Sequence, residues 1–207
     1  MSDEAVRHLR RDKAMAGLIA RVGAPRLGVS RGRSPYEALV RAIAHQQLHG
    51  RAAEAILGRF IALAPDGSFP APDHVLRLPE TSLRAAGFSA AKLAAIRDIA
   101  RHAEAGHVPT RRQATRLSDA ALIERLCAIR GVGRWTVEML LIFTLGRPDV
   151  MPCDDFGVAE GCRALYGLEQ RPRPRELAAR MEGFAPYRSY AAWYLWRAAD
   201  LARADAS

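Results

Sequence analysis

Helical periodicity is the feature that most limits how this chain can fold. Signals for helix starts accompany it, and no alternating apolar–polar pattern of a strand persists. The segment SPYEALVRAIAHQQLHG begins with Ser34, then has Pro35 at the first helical position and Glu37 three residues after the serine. This order is typical of a capping box at the start of a helix. Apolar residues then recur at helical spacing, as at Leu39 and Ile43. The sequence therefore predicts an all-α fold.

Further helical segments follow along the whole chain. SAAKLAAIRDIARHAEAG opens with Ser89 as its N-cap and closes with Gly106 just beyond its end. The joints APDGSFPAPD and LEQRPRPRE are predicted to be connectors, because they are too short to link separate domains. The other predicted helices lie in RAAEAILGRFIALAPDG, which is stopped by a proline and a glycine, in the segment that starts at Ser118, and at 134–145, 155–166, 174–183 and 187–203.

The charge of the chain indicates the class of its partner. Its 207 residues include 31 basic and 22 acidic side chains, a formal net charge of +9, and 49% are apolar, as in a globular protein. A positive surface favours a polyanionic partner, with nucleic acid first and an anionic membrane second.

Other sequence features argue against a secreted or membrane-bound protein and against a cysteine-based metal site. The cysteines have no CxxC spacing, so we expect no disulfide framework, zinc site or four-cysteine iron–sulfur cluster. The start MSDEAVRHLRRDK lacks the pattern of a signal peptide, and the apolar run MLLIFTLG is too short to span a bilayer. We expect an intracellular, cytoplasmic protein that is associated with the nucleoid and with no membrane.

A glycine-rich turn lies between two predicted helices in LCAIRGVGRWTVEMLL. Gly131 and Gly133 are compatible with a simple connection in which glycines adopt positive φ. The alternative is a helix–hairpin–helix, in which the amides of the turn and the helix dipole together bind a phosphate group. The apolar residues Leu126 and Ile129 before the turn and the net positive charge favour this second interpretation.

Four motifs in order resemble the helix–hairpin–helix superfamily of DNA glycosylases, and most closely its 3-methyladenine DNA glycosylase II type. They are YEALVRAIAHQQLHGRAAEAIL, GFSAAKLAAIRDIA, IRGVGRWTVEMLL with MPCDDFG, and APYRSYAAWYLWRA, and together they cover roughly residues 34–200. The resemblance implies two helical lobes around a cleft within one unit, 1–207. The middle lobe would span about 40–145 and end in the helix–hairpin–helix at 119–145, and 1–39 with 146–207 would form the second lobe.

Two adjacent carboxylates, Asp154 and Asp155, precede a predicted helix. By themselves they are best explained as helix-start residues that the dipole favours. The resemblance implies instead that Asp155 is catalytic and that Asp154 has a capping or orienting role. A carboxylate near C1′ suits this chemistry, because breaking an N-glycosidic bond builds positive charge on the sugar.

The resemblance also implies roles for aromatic side chains around the reacting base. Relatives that cut the DNA backbone carry a Schiff-base lysine where this chain has Trp135, so the expected enzyme has no lyase activity. Trp135 and Trp196 would line a pocket for a cationic purine, although tryptophans at helical spacing can also be core residues. Met139 stands where the longer bacterial enzyme has a pocket tyrosine, which leaves the substrate range open.

The remaining implied contacts are with DNA and with an ion. The resemblance implies that Gln47 or Leu48, in the joint HQQLHG, is the wedge residue that fills the gap left by a flipped nucleotide. A polar helix end is an equally good explanation of this joint. No cofactor is expected, apart from a structural monovalent cation (Na⁺ or K⁺) bound by the backbone carbonyls of Cys127, Ile129 and Gly131. The other implied DNA contacts are Gly131, Gly133, Arg134, Thr136 and Arg188.

The sequence therefore predicts a monofunctional, monomeric DNA glycosylase acting on double-stranded DNA with damaged bases. It would hydrolyse the N-glycosidic bond of alkylated purines, of the 3-methyladenine and 7-methylguanine type, and leave an abasic site for base excision repair. Two alternatives stay open at this point. One is a non-catalytic helix–hairpin–helix module that only binds DNA, and the other is a glycosylase for oxidised or deaminated bases. A zinc nucleobase deaminase is disfavoured because both of its sequence signatures are missing.

Overall fold

The computed structural model describes residues 2–47 and 50–205, and over these ranges it contains helices and no strands. The predicted all-α class is therefore confirmed. A π-helical turn at Leu141–Leu145 and a short 3₁₀ helix at Glu182–Phe184 accompany the α-helices. The α-helices are α1 (Ser2–Leu9), α2 (Lys13–Val22), α3 (Pro35–His45), α4 (Gly50–Ile61), α5 (Pro72–Arg77), α6 (Glu80–Ala85), α7 (Ala90–Glu104), α8 (Arg111–Ala114), α9 (Asp119–Cys127), α10 (Arg134–Leu140), α11 (Phe156–Tyr166), α12 (Pro174–Arg180) and α13 (Arg188–Asp205).

The predicted helix starts are confirmed by their caps. The side chains of Ser34, Ser89 and Ser118 each accept a hydrogen bond from the backbone amide three residues further on. Gly106 follows α7 with a φ of +73°, as a glycine just beyond a helix end commonly does. Short polar side chains at these positions therefore place the helix starts correctly, because the cap is a local interaction.

The predictions missed α1, α2, α5, α6 and α8. Three of these have only four to six residues, and α5 begins at Pro72 inside a joint that was predicted to be a connector. Helices this short are marginal alone and form when packing stabilises them. The predicted helix 134–145 also changes at Leu141 from α-helical to π-helical geometry.

The described residues form two compact units. We call Ser30–Leu140 the middle unit, and the residues up to Val29 together with those from Leu141 onward the terminal unit. The division falls at 29/30 and 140/141, whereas the resemblance implied lobes divided near 39/40 and 145/146. The first boundary lies earlier because α3 packs against α4, α7 and α10, all of which belong to the middle unit.

The terminal unit is built on a close crossing of α11 and α13. A Cβ atom added at Gly161 in α11 would lie 1.8 Å from the carbonyl oxygen of Leu195 in α13. Only glycine permits this approach of the two backbones. Cys162 beside it is fully buried, and burial raises the pKa of its thiol to about 11. The core of this unit includes Leu9, Met15, Ile19, Val158, Leu177, Met181, Tyr194 and Leu195.

The middle unit has its own apolar core. Within it, the ring of Phe60 meets those of Phe69 and Phe88 edge-on, each with centroids 5.5 Å apart. Over the described ranges, no helix combines the length and the apolar composition that crossing a membrane requires. Fully buried core residues of the middle unit include Leu39, Leu57, Phe60, Leu83, Ile96, Ile99, Leu122 and Leu126.

Candidate active site

Asp155, the predicted catalytic residue, is the N-cap of α11. Its Oδ1 atom accepts a hydrogen bond of 2.8 Å from the backbone amide of Val158 and another of 2.8 Å from the indole Nε1 of Trp196. The capping role expected of Asp154 is therefore wrong. Asp155 immediately precedes the first helical residue, so its side chain, and not that of the exposed Asp154, reaches the amide.

Trp196 fixes the orientation of the Asp155 carboxylate. Its indole lies on α13, and its ring centroid is 5.6 Å from that of Phe143. A Cβ added at Gly157 would lie 2.9 Å from Cδ1 of Trp196 and 3.2 Å from Oδ1 of Asp155, so glycine is needed here. The sequence predicted Trp196 only as a pocket aromatic. Its hydrogen bond could not be foreseen, because it joins residues 41 positions apart.

An open cavity of about 640 Å³ borders Asp154 and Asp155 in the terminal unit. Phe156 lies at its edge with 67% of its surface exposed, and the guanidinium of Arg171 stacks 4.2 Å from the centre of its ring. Sequence reasoning assigned no role to Phe156. The only available signal was an aromatic residue directly after the paired carboxylates, which is compatible with a core position as well.

Replacing Trp196 with phenylalanine tests the contact with Asp155. The phenyl ring retains an aromatic face toward Phe143 but cannot donate a hydrogen bond. A bond to a charged group is worth about 1.5–3 kcal/mol. For the glycosylase activity that the resemblance implies, we therefore expect the single-turnover rate of base release to fall by roughly ten- to a hundredfold. The affinity for DNA should change little. An unchanged rate in a normally folded variant would show that the hydrogen bond to Asp155 is not needed for catalysis. Trp196 would then contribute only its aromatic ring to the site.

The glycine turn in the middle unit is held by two neighbouring helices. Gly131 has a φ of +78°, and a Cβ placed there would lie 2.9 Å from Cβ of Ala95 in α7. The carboxylate of Asp98 accepts a 2.8 Å hydrogen bond from the backbone amide of Arg130. The side-chain amide of Gln46, just after α3, donates to the carbonyl of Gly131 at 3.2 Å. The turn therefore has a defined backbone conformation.

The electrostatics of Asp98 agree with its role in holding the glycine turn. Partial burial raises the pKa of its carboxyl, but hydrogen bonds from the Arg130 amide and the Arg101 guanidinium outweigh that effect and lower it overall. The carboxylate that holds the turn is therefore favoured in its ionised form. Sequence reasoning did not identify Asp98 or Gln46, because both act across long separations in the chain.

The structure distinguishes the two glycines of the turn. Only Gly131 adopts positive φ, and Gly133 is exposed at the start of α10 with no atom within 4 Å of an added Cβ. Space is therefore open beside the backbone of Gly133. This arrangement is compatible with the approach of a phosphate group to the backbone.

The other residues expected to contact DNA or the base occupy varied environments. Trp135 in the middle unit is 41% exposed, and Met139 is half-buried. Arg134 is exposed and donates to Glu138 at 2.9 Å. The side chain of Thr136 is buried, and its contact with DNA stays a prediction. Its place on α10 turns it toward the core.

Arg188 has a partner within the protein. Its guanidinium makes two hydrogen bonds with the carboxylate of Asp149, at 2.7 and 2.8 Å. These bonds lower the pKa of Asp149 and raise that of Arg188. A paired guanidinium at the start of α13 has a structural role in the terminal unit, and its contact with DNA stays a prediction.

The structure describes only one of the two candidates for the wedge residue. Gln47 is exposed and has a φ of +57°, an uncommon conformation for a residue with a side chain. Leu48 lies outside the described residues. The unusual backbone at Gln47 follows directly on the contact of Gln46 with the hairpin.

The carbonyls expected to bind a monovalent cation lie in and before the hairpin turn. The oxygen of Ile129 accepts a hydrogen bond from the amide of Val132, and that of Gly131 accepts one from Gln46. A carbonyl oxygen has two lone pairs, so these bonds leave each one able to contact an ion. Neutral oxygen ligands of this kind fit Na⁺ or K⁺. The described residues contain no cluster of histidine, cysteine or acidic side chains suited to a metal ion.

Comparisons with known proteins agree with this geometry. The chain is 47% identical to DNA-3-methyladenine glycosylase 1 of Schizosaccharomyces pombe over 170 residues, which cover 82% of this chain and 75% of that protein. It is 35% identical to the alkylbase DNA glycosidase-like protein mag2 of the same organism, over 93% of this chain and 91% of that protein.

A solved structure gives the same result. The S. pombe 3-methyladenine DNA glycosylase in complex with abasic DNA matches with a TM-score of 0.86 at 44% identity, over 94% of this chain and 95% of that chain. The family model of HhH-GPD superfamily base excision DNA repair proteins matches residues 40–186, which include the glycine turn and Asp155. The chain therefore belongs to the HhH-GPD superfamily of base excision DNA repair proteins.

Proposed function

We propose that the protein is a DNA glycosylase that hydrolyses the N-glycosidic bond of alkylated purines in duplex DNA and leaves an abasic site. The observation that carries this proposal is the carboxylate of Asp155, oriented by the Val158 amide and the Trp196 indole. The relative with 47% identity is named a DNA-3-methyladenine glycosylase, which supports the same substrate class.

The chemistry requires a fixed negative charge more than it requires an acid. As the bond between base and sugar breaks, positive charge develops on the sugar, and a carboxylate near C1′ stabilises it. The same group can orient or deprotonate the attacking water. A purine methylated at N3 or N7 already carries a positive charge, so it leaves without a strong general acid. One carboxylate is therefore sufficient for this reaction.

The residue at the lysine position supports a hydrolase without lyase activity. Trp135 follows the last hairpin glycine at the second position, and its side chain has no amine that could form an imine with the sugar. Water is then the nucleophile. Trp135, Trp196 and Met139 are the proposed contacts of the damaged base, where an indole face attracts a cationic purine.

In the proposed mode of DNA binding, the hairpin and the segment after α3 both contact the DNA. The turn at Gly131 and Gly133 would bind a backbone phosphate, and Gln47 or Leu48 would fill the space left by the extruded nucleotide. A monovalent cation on the carbonyls of Cys127, Ile129 and Gly131 would neutralise their partial charges and support the turn. We expect the protein to act as a monomer.

The decisive assay measures bases released from methylated duplex DNA. We expect free 3-methyladenine or 7-methylguanine and an intact strand that breaks only after treatment with alkali. Trapping with borohydride should give no covalent complex with the DNA. DNA binding without release of any base would instead favour the non-catalytic module, and release of only oxidised or deaminated bases from a lesion panel would assign a different substrate.

The net charge of +9 and the hairpin together predict a steep salt dependence of binding. Each phosphate contact releases counterions, and the logarithm of the affinity should fall with the logarithm of the salt concentration with a slope of about −0.9 per contact. For several contacts, we expect a slope of several units in fluorescence anisotropy titrations. A flat dependence would contradict phosphate binding by the Gly131–Gly133 turn.

A further inference from the structure

A cavity of about 340 Å³ in the middle unit brings together three arginines beside the hairpin. Arg97 and Arg101 lie four residues apart on one face of α7, and Arg130 belongs to the glycine turn itself. One acidic residue, Glu80 of α6, also lines the cavity. The cavity is distinct from that beside Asp155, because no residue lines both.

The carboxylates around this cavity are already engaged. The two oxygens of Asp98 accept hydrogen bonds from the Arg101 guanidinium and the Arg130 amide, each at 2.8 Å. Glu80 accepts a bond of 2.9 Å from Arg84. The positive charge of the three guanidinium groups is therefore only partly balanced within the protein.

The arginines also retain unused hydrogen-bond donors. Arg97 donates from Nη2 to the carbonyl of Leu78 at 2.6 Å, which holds its side chain in place. Arg130 is exposed, and its side chain has no hydrogen bond or ion pair with any residue in the ranges 2–47 and 50–205. A guanidinium presents five N–H donors in a planar fork that matches the oxygens of a phosphate group.

We propose that the cavity lined by Arg97, Arg101 and Arg130 binds a phosphate of the DNA backbone, in addition to the phosphate bound by the hairpin amides. This inference rests on the proposed function, because it takes duplex DNA as the ligand. Asp98 links the two contacts, since its carboxylate holds both the Arg101 side chain and the backbone of the turn. A contact of this kind adds affinity without reading sequence.

The test measures the binding of undamaged duplex DNA by Arg101→Ala and Arg130→Ala across a series of salt concentrations. Each variant should bind several-fold more weakly, and its log–log salt slope should be smaller by about 0.9 for the lost phosphate contact. Arg97 is left unchanged, because its bond to Leu78 also supports the fold. Thermal melts confirm that each variant is folded.

Arg112→Ala is the matched control. Arg112 is an exposed arginine of the same unit that does not line the cavity, so its replacement removes the same charge. It should change the salt slope much less than either cavity variant does. Equal slopes for all three variants would overturn the proposal, because the effect would then be one of net charge alone.

A second arm separates DNA from free phosphate as the ligand. If inorganic phosphate raised the Tm of the wild type but not that of the cavity variants, and their DNA salt slopes stayed at the wild-type value, the site would belong to a free anion. That result would also overturn the proposal. Base release should be unchanged in Arg112→Ala, because Arg112 lines neither this cavity nor the cavity beside Asp155. If the wild type released no base, only the proposed function would be contradicted. The phosphate site would still be tested, because the binding assay uses undamaged DNA.

Discussion

Replacing Asp155 with asparagine is expected to lower the rate of base release by roughly a hundredfold or more, the scale of losing a main electrostatic stabiliser. The amide oxygen of asparagine can still accept hydrogen bonds from Val158 and Trp196. Asparagine is also as good an N-cap as aspartate, so α11 should keep its start. The substitution therefore removes the negative charge and leaves the local structure in place. Single-turnover release of methylated purines measures the effect.

Asp154→Asn is the matched control for this prediction. Asp154 is adjacent and exposed, and it does not cap α11. Its replacement should leave base release near the wild-type rate, and both variants should bind DNA as the wild type does. A fully active Asp155→Asn enzyme would remove Asp155 from the catalytic role, and equal losses in both variants would point to a general effect of charge.

Replacing Gly161 with alanine should destabilise the terminal unit strongly. The added Cβ would lie 1.8 Å from the carbonyl oxygen of Leu195 and 2.5 Å from its carbonyl carbon. These are backbone atoms, so no change of rotamer relieves the overlap and α11 and α13 must separate. We expect a loss of about 3 kcal/mol or more, and a Tm lower by roughly 6–12 °C, from the usual cost of overpacking and the size of this chain.

Gly17→Ala serves as the control for the glycine substitution. Gly17 lies in α2 of the same unit, and an added Cβ there meets no atom within 4 Å. Alanine should therefore stabilise the helix, by about 0.5–1 kcal/mol. Calorimetric melts of the two variants should shift in opposite directions. A Gly161→Ala protein with the wild-type Tm would contradict the close crossing of α11 and α13.

The parts of the fold that were predicted correctly depend on local interactions. Ser34, Ser89 and Ser118 each bond an amide within their own first helical turn, so the residue type and its spacing were sufficient. The family resemblance depended on short motifs in a fixed order, and the match to residues 40–186 confirmed it. The short helices between these motifs were missed, because four to six residues are too few to show a helical period, although α8 has a capping box of Thr110 and Gln113.

The candidate site was predicted by residue type but not by geometry. Asp155 was identified through the motif, yet its role as N-cap was assigned to Asp154, because two adjacent carboxylates look alike until the helix start is known to one residue. The bond from Trp196 and the clamps of Gln46 and Asp98 on the hairpin were not foreseen. Each of these contacts joins residues that are more than thirty positions apart.

The sequence by itself therefore determined the helical class, the main helix starts, the family and the identity of the candidate catalytic aspartate. These properties depend on periodicity, on caps and on motifs, all of which act over a few residues. Only the tertiary structure decided which oxygen of Asp155 is held and by what, and why Gly161 is needed. It alone showed that Arg97, Arg101 and Arg130 share one cavity. Such contacts depend on how distant segments pack, and no local pattern records that arrangement.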